Sequence, residues 1–401
     1  MNTSVVYLSY DGIMEPLGQS QVLCYLEQLA KDRKIFLISF EKREDWAHFD
    51  QRQALAGRIR EAGITWLPLR YHKRPSALAT ALDITQGFLV AAWVVLRHRA
   101  GIVHARSYVP SVIALGLKKL FGIRYIFDMR GFWADERVDG GIWPKGCRLY
   151  RVAKWFEQRF LLNADRVVSL TQAAISEMRT FPYLQDRMPA FVHITTCADL
   201  ELFRPGPVPV TGERPFTLGY VGSVGVWYLF DEALRGFQLL RKREPSARLH
   251  ILNRGGHDYI RERMAQMGVE PASVILEEGN HQRVSEAMQT MDAGIFFIKP
   301  IYSKTASAPT KLGEFLGCGV PCLGNRGVGD MASILEEEMV GVSTASFTEE
   351  AMTEAVDRLL TLARSEGIRE RCRRAAQKRF SLEEGARTYG VMYRELDSRK
   401  S

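Results

Sequence analysis

One pattern constrains the fold more than any other: short apolar runs alternate with stretches of helical periodicity, and the alternation occurs twice. SVVYLSY (4–10), IFLISF (35–40), ITWLPL (64–69), GIVHARS (101–107) and RYIFDMR (124–130) read as buried strands separated by helical or loop sequence. The pattern restarts at FTLGYVG (216–222) and continues through ARLHILN (247–253), SVILEEG (273–279), AGIFFIK (293–299) and VPCLGN (320–325). Strands that alternate with helices form a parallel sheet covered on both faces. Between the two series lies CADLELFRPGPVPVTGERP (197–215), whose four prolines and two glycines mark a linker. A chain of 401 residues also suits two domains of about 150–200 residues each. The expected fold class is therefore α/β, with two Rossmann-like doubly wound domains. The first is expected to span 1–206, with a terminal helix at 381–401 packing back on it, and the second 207–380.

The longest purely apolar run, Phe88 to Leu96, has nine residues, whereas about 20 are needed to cross a bilayer. No transmembrane helix is expected, and Ala77–Leu96 reads as a helix lying on the first sheet. MNTSVVYLSYDG lacks the basic and apolar regions of a secretion signal, so a cytoplasmic location is expected. The six cysteines (24, 147, 197, 318, 322 and 372) include no CxxC pair, which suits a reducing compartment and suggests no metal site. Cys318 and Cys322 can be read as a redox pair or as small packing residues beside a turn.

The net charge of +8 is unevenly distributed. Residues 1–200 hold 27 Lys and Arg against 19 Asp and Glu, whereas the remainder is balanced. The excess gathers in RYHKR (70–74), RHR (97–99), KK (118–119) and the stretch from Lys145 to Lys154. Such a surface suits an anionic lipid, a phosphorylated acceptor or nucleic acid, or it is simply a solvated face.

Ligands of open parallel sheets bind beyond the carboxyl ends of the strands, so the loops there are searched first. In DGIMEPLGQSQ, Gly18 precedes a helix and would let the backbone approach a phosphate. In VGSVGVWYLFDEA, Gly222 and Ser223 offer amides and a hydroxyl to an anion. Neither loop has the spacing of a dinucleotide fingerprint. DMRGFWADERVDGG places Asp128 and Arg130 at a strand end, with Trp133 as an apolar face for a sugar. In KPIYSKTASAPTKLGEFLGCGVP, Lys304, Thr310 and Lys311 lie at or near a helix start. Lysine there opposes the helix dipole unless an anion is bound. Glu314, three residues on, shares a face with Lys311 and can accept hydrogen bonds from sugar hydroxyls.

SAPTKLGEFLGCGVP (307–321), ITTCADLELFRP (194–205), NADRVVSLT (163–171) and FSLEEGARTY (380–389) together resemble retaining glycosyltransferases of GT-B fold, glycosyltransferase family 4. The resemblance implies two domains facing across a cleft and a nucleotide-sugar co-substrate, UDP- or GDP-linked. It implies transfer with retention to a glycan or polyprenyl-diphosphate-linked acceptor in cell-surface polysaccharide synthesis. No further cofactor, metal or nucleic-acid partner is implied.

By position, Glu314 matches the second glutamate of the family's Glu-x7-Glu signature, which binds the nucleotide ribose; the first falls on Ala306. Ser223 stands where relatives carry a diphosphate-binding arginine, and no lysine follows in Val224–Leu234. Lys304 and Lys311 are expected to take over that neutralisation. Gly18 matches the glycine of the phosphate-facing loop. Arg130 stands where many relatives have a histidine, and Asn280 and His281 fall near the nucleobase site. Lys311, Arg130 and Asp128 are the catalytic candidates. The membrane reading of the basic first half becomes peripheral contact with an anionic leaflet. A sugar-nucleotide epimerase and a non-catalytic glycosyltransferase-like subunit are the alternatives.

Overall fold

The computed structural model describes residues 3–72, 76–207 and 214–398. Lys73 and Arg74 of the first basic cluster, residues 208–213 of the proline-rich segment and residues 399–401 of the terminal helix lie outside the described residues. The chain divides into two units, Met1–Thr195 with Leu382–Ser401, and Thr196–Ser381.

The first unit holds a seven-stranded sheet: β1 Val5–Ser9, β2 Ile35–Glu41, β3 Ile64–Arg70, β4 Ile102–Arg106, β5 Arg124–Asp128, β6 Arg166–Ser169 and β7 Phe191–His193. All pairings are parallel, in the order β3-β2-β1-β4-β5-β6-β7. Every residue of β1, β2 and β4 is buried, as expected of strands covered on both faces. The second unit holds β8 Thr217–Val221, β9 Arg248–Leu252, β10 Val274–Glu277, β11 Ala293–Ile295, β12 Cys322–Asn325 and β13 Gly341–Thr344. These are also parallel, in the order β10-β9-β8-β11-β12-β13. Strand order reverses between β1 and β4 in one sheet and between β8 and β11 in the other, and crevices that accept ligands open at such points.

Seven helices matter below: α1 Ser76–His98, α2 Tyr108–Phe121, α3 Arg148–Asn163, α4 Phe230–Arg243, α5 Thr310–Gly317, α6 Ile368–Phe380 and α7 Leu382–Ser398. The crossovers from β3 to β4, β4 to β5 and β5 to β6 all advance in one direction, so right-handed connection puts α1, α2 and α3 on one face of the first sheet. Helix α7 packs against the short helix Cys24–Leu29 and is tied down by ion pairs Arg33–Asp397 (3.4 Å) and Arg166–Glu395 (2.8 Å).

Three strands escape the sequence reading, namely β6, β7 and β13. They have three or four residues each, as do β10, β11 and β12, so length alone does not separate them from the strands that were read. The strand read at 293–299 stops at Ile295. Beyond it Ile298 turns to bridge Tyr228, and the Asn325 side chain takes both backbone groups of Ile298 (2.9 Å each). Helix α1 packs on the first sheet, as its sequence leads one to expect. A window of 18 residues within Leu78–His98 averages a hydropathy of 1.6, although no apolar run in it exceeds nine residues. In this fold α1 lies on β1–β3, and the buried Asp83 carboxylate fastens it by accepting from the Tyr10 hydroxyl (2.8 Å) and the His72 amide (3.2 Å).

The units part at Thr195/Thr196, earlier than the expected 206/207. The reason is a clamp on the intervening segment. Ala198 donates its amide to Phe380 (3.0 Å), and the Arg373 guanidinium donates to the carbonyls of Leu200 and Phe203 (2.8 Å each) and Gly317 (3.3 Å). Arg373→Met removes three charge-assisted bonds from partly buried carbonyls and should destabilise the second unit by about 3 kcal/mol. Urea unfolding followed by tryptophan fluorescence measures it.

Candidate functional site

In the second unit, β8 runs into a loop that a straight strand could not make: Gly222 sits at φ 110°, Gly225 at φ 76° and Val226 at φ 44°. Val226 is β-branched and exposed, so its left-handed backbone is a strained feature of the kind that gathers at functional loops. The loop is latched by Asn253, which follows β9 and donates to the Gly222 carbonyl (2.9 Å), and by the Gly222 amide, which donates to Leu252 (2.9 Å).

Against this loop lies the side chain of Lys311. It belongs to the first turn of α5, behind Pro309 as N-cap, and is buried at 6% exposure. Its ammonium stands 4.0 Å from the Tyr228 ring centre, with Phe296 and Tyr220 at 5.4 and 5.6 Å. A Cβ on Gly222 would meet Lys311 Nζ at 2.7 Å, so glycine is required there for close approach as well as for its φ. Phe296 follows β11 and Gly222 follows β8, which puts the ammonium at the point where the strand order reverses. Lys311 Nζ has no hydrogen-bond partner. Burial pulls its pKa down from 10.5 to about 7, only partly opposed by Glu314. Glu314 is half-buried; burial raises its carboxyl from 4.5 to about 7, and Lys311 opposes that shift.

The other candidates of this unit are distributed differently. Lys304 is buried in the turn Tyr302–Ala306 and covers the Trp227 ring at 3.9 Å, so the two lysines cap adjacent aromatic residues of one loop. Thr310 opens α5, one residue before Lys311. Ser223 is exposed, and only its carbonyl is engaged, by the Tyr220 hydroxyl (2.8 Å). Ala306 is buried and offers no polar side-chain atom. Asn280 and His281 lie just after β10, as their sequence position implies. Asn280 is the N-cap of the helix His281–Met288, accepting from the Arg283 amide (2.9 Å), and both follow β10 at the sheet edge, two strands away from β8. Cys318 and Cys322 are buried free thiols, pushed up by burial (Cys318 to about 12), which suits packing rather than redox chemistry.

In the first unit Asp128 ends β5 with no exposure, and its Oδ2 accepts from the Tyr389 hydroxyl (2.9 Å) and faces His104 Nε2 (3.4 Å). His104 Nδ1 in turn meets the Tyr393 hydroxyl (2.6 Å), and the Tyr7 ring packs on the imidazole (4.4 Å). Arg130 bends back at φ 59° to bring Nη1 within 3.8 Å of Asp128 Oδ1, beyond hydrogen-bond length, and both atoms lack a partner. Burial favours protonation of Asp128, but Arg130 and His104 outweigh it and hold the carboxyl at about 2. A carboxylate that acidic is a weak proton acceptor at neutral pH, and in this structure Asp128 anchors Arg130 and Tyr389. Trp133 is packed between Tyr108 and Trp143 and is not a free sugar platform.

Gly18 is corrected as well. Its φ is an ordinary −61°, and an added Cβ would lie 2.1 Å from the Gly12 carbonyl, so the backbone it admits is the chain's own. The sequence reading also missed Tyr220, Tyr228 and Phe296 around Lys311 and Tyr7, Tyr389 and Tyr393 around Asp128. The one local trace is the pair Tyr389/Tyr393, four residues apart on one helix face.

With this geometry in hand, comparison with known proteins gives consistent results. Residues 33–188 match the Glycosyl transferase 4-like domain and residues 215–362 match Glycosyl transferases group 1. Among curated proteins none matches the sequence. The chain is similar in structure to a sucrose-phosphate synthase from Thermosynechococcus elongatus (TM-score 0.69, 14% identity, 99% of this chain and 100% of that one). It is similar also to HepE of Anabaena in complex with UDP and glucose (TM-score 0.68, 14% identity, 97% and 99%). A glycosyltransferase from Rickettsia africae matches with TM-score 0.69 at 12% identity, covering 100% of both chains.

Two outcomes test the site. Gly18→Ala should cost about 3 kcal/mol through the backbone clash, read from the urea midpoint. Lys311 and Glu314 also predict a pH dependence. Between pH 10.5 and about 7 the unfolded chain binds a proton that folded Lys311 has shed, so stability falls as pH drops through that window. Between pH 4.5 and about 7 folded Glu314 keeps a proton that the unfolded chain has lost, so its contribution is lost as pH rises. Lys311→Met should therefore raise the melting temperature at pH 7 and abolish the gain in stability from pH 7 to 10.

Proposed function

We propose that this chain, a glycosyltransferase of GT-B architecture, moves a sugar from a nucleoside-diphosphate donor to a glycan or polyprenyl-diphosphate-linked acceptor with retention at the anomeric carbon. A UDP-sugar is the donor we favour, because the Anabaena relative holds UDP and glucose. The observation that carries the reading is the buried, unpartnered Lys311 ammonium facing a glycine loop at the strand-order reversal.

Breaking the sugar–phosphate bond leaves an electron pair on the departing diphosphate oxygen. Lys311, held in an apolar setting beside the first amides of α5, is placed to stabilise that charge. It does so without the arginine that family resemblance leads one to expect at position 223. Lys304 reinforces the loop through Trp227 and adds positive charge. Glu314 accepts from ribose hydroxyls in this reading. In the first unit Arg130 Nη1 and Asp128 Oδ1 are the groups left to engage the acceptor, the arginine toward an anionic group and the carboxylate toward a hydroxyl. The chemistry calls for no metal, because the lysine supplies the positive charge, and a cytoplasmic site of action fits a nucleotide-sugar donor.

Calorimetry tests the donor half. A lysine near pKa 7 is mostly neutral at pH 8, so binding of UDP should draw a proton from the buffer, seen as an enthalpy that varies with buffer ionisation heat. Lys311→Ala should remove that proton uptake and weaken UDP binding by about 10- to 100-fold. Unchanged affinity and unchanged donor hydrolysis in Lys311→Ala would remove lysine from this role. Turnover of a UDP-sugar into an epimer without any acceptor would favour the epimerase reading instead.

A further inference from the structure

The outer surface of the layer formed by α1, α2 and α3 has a composition unlike that of an ordinary solvated face. On α1, Leu78, Leu89, Trp93 and Leu96 are 72, 64, 56 and 65% exposed. At 100° per residue, these four and Leu82 fall within about 60° of one another, a single stripe along the helix. On α3, Leu149, Val152 and Trp155 are 57, 52 and 50% exposed, and Arg159 lies over the Trp155 ring at 5.2 Å. Helix α2, which packs between them, ends in exposed Leu120 and Phe121.

The charge on this layer has one sign. The three helices hold only two acidic residues, Asp83 and Glu157, and both are buried; Asp83 is bonded to Tyr10 and His72, Glu157 to Tyr108 and Lys154. Arg97, Lys119, Arg148, Arg151 and Arg159 are exposed among the apolar residues. Leucine and tryptophan interleaved with arginine and lysine, without an exposed acid, match an interfacial surface. Apolar side chains enter the acyl boundary while the cations meet anionic headgroups. A solvated helix layer has no reason to display five large apolar side chains in one stripe.

We propose that this face docks flat on a bilayer containing anionic lipid, with α1 and α3 lying in the plane of the interface and α1 not crossing it. The internal bonds of Asp83 hold α1 against its own sheet, which leaves the outer stripe for the lipid. The surface is independent of the sugar-transfer reading, and its test requires no donor or acceptor.

Flotation of the full chain with vesicles provides that test. Vesicles of phosphatidylcholine with 30% phosphatidylglycerol should carry about tenfold more protein than phosphatidylcholine alone, and the difference should shrink in 0.5 M salt. The double variant Leu89→Asp/Trp93→Asp, altered only at exposed positions, should lose about tenfold in binding to the anionic vesicles while its melting temperature stays at the wild-type value. Arg148→Glu/Arg151→Glu should lose the preference for anionic lipid. Wild-type protein that remains unbound by either vesicle, or a Leu89→Asp/Trp93→Asp variant that binds as wild type does, would overturn the proposal. So would sedimentation showing a dimer that this variant converts to monomer, since the face would then belong to a second copy of the chain.

Discussion

A primary ammonium enclosed by aromatic rings, with no hydrogen-bond acceptor of its own, is the constraint on which the second unit's site depends. Placing Lys311 between Tyr228, Phe296 and Gly222 forgoes most of its hydration, and the cation–π contact recovers only part of that loss. Folding alone would favour an apolar side chain there. The neighbouring structure is arranged around the lysine all the same: a glycine leaves room for it, Asn253 fixes the glycine loop, and Lys304 steadies the next aromatic residue. Such a local conflict with stability is what a preorganised anion site requires, because a charge already desolvated interacts more strongly with the ligand when it arrives.

The first unit solves a related problem differently. Asp128 is surrounded by donors, from Tyr389 and His104 on one oxygen and Arg130 near the other, so its charge persists at any physiological pH. Arg130 is held by its bent backbone and by that charge, while one of its nitrogens stays uncommitted. Each unit thus leaves a buried basic nitrogen unsatisfied at the carboxyl end of its sheet. In both cases the surroundings are aromatic, and several of those rings come from distant parts of the chain.

Much of the fold could be read from local pattern. Ten strands and the principal helices stand out because apolar runs and helical spacing are local properties. The short strands β6, β7 and β13 did not, although β10, β11 and β12 are no longer; pairing in register with their neighbours is what identifies them. The candidate site was legible to a lesser degree. Lys311 stood out because a lysine in a first turn opposes the helix dipole, and Gly222 because it ends a strand. Gly18 shows the limit of local pattern: a glycine beside a helix looks the same whether it serves a ligand or a close backbone contact.

Sequence alone determined that the chain builds two parallel α/β units, that positive charge concentrates in the first, and that a lysine and a glutamate share one helix face three residues apart. Tertiary structure alone decided that this lysine lies against a loop from the start of the same unit, that Tyr389 reaches Asp128 across 261 residues, and that the apolar residues of α1 divide into a buried face and an outer stripe. The physical reason is that periodicity records which side of an element is apolar. What covers that side, and which polar atom is left without a partner, depends on strand order and on the return of the last helix to the first sheet.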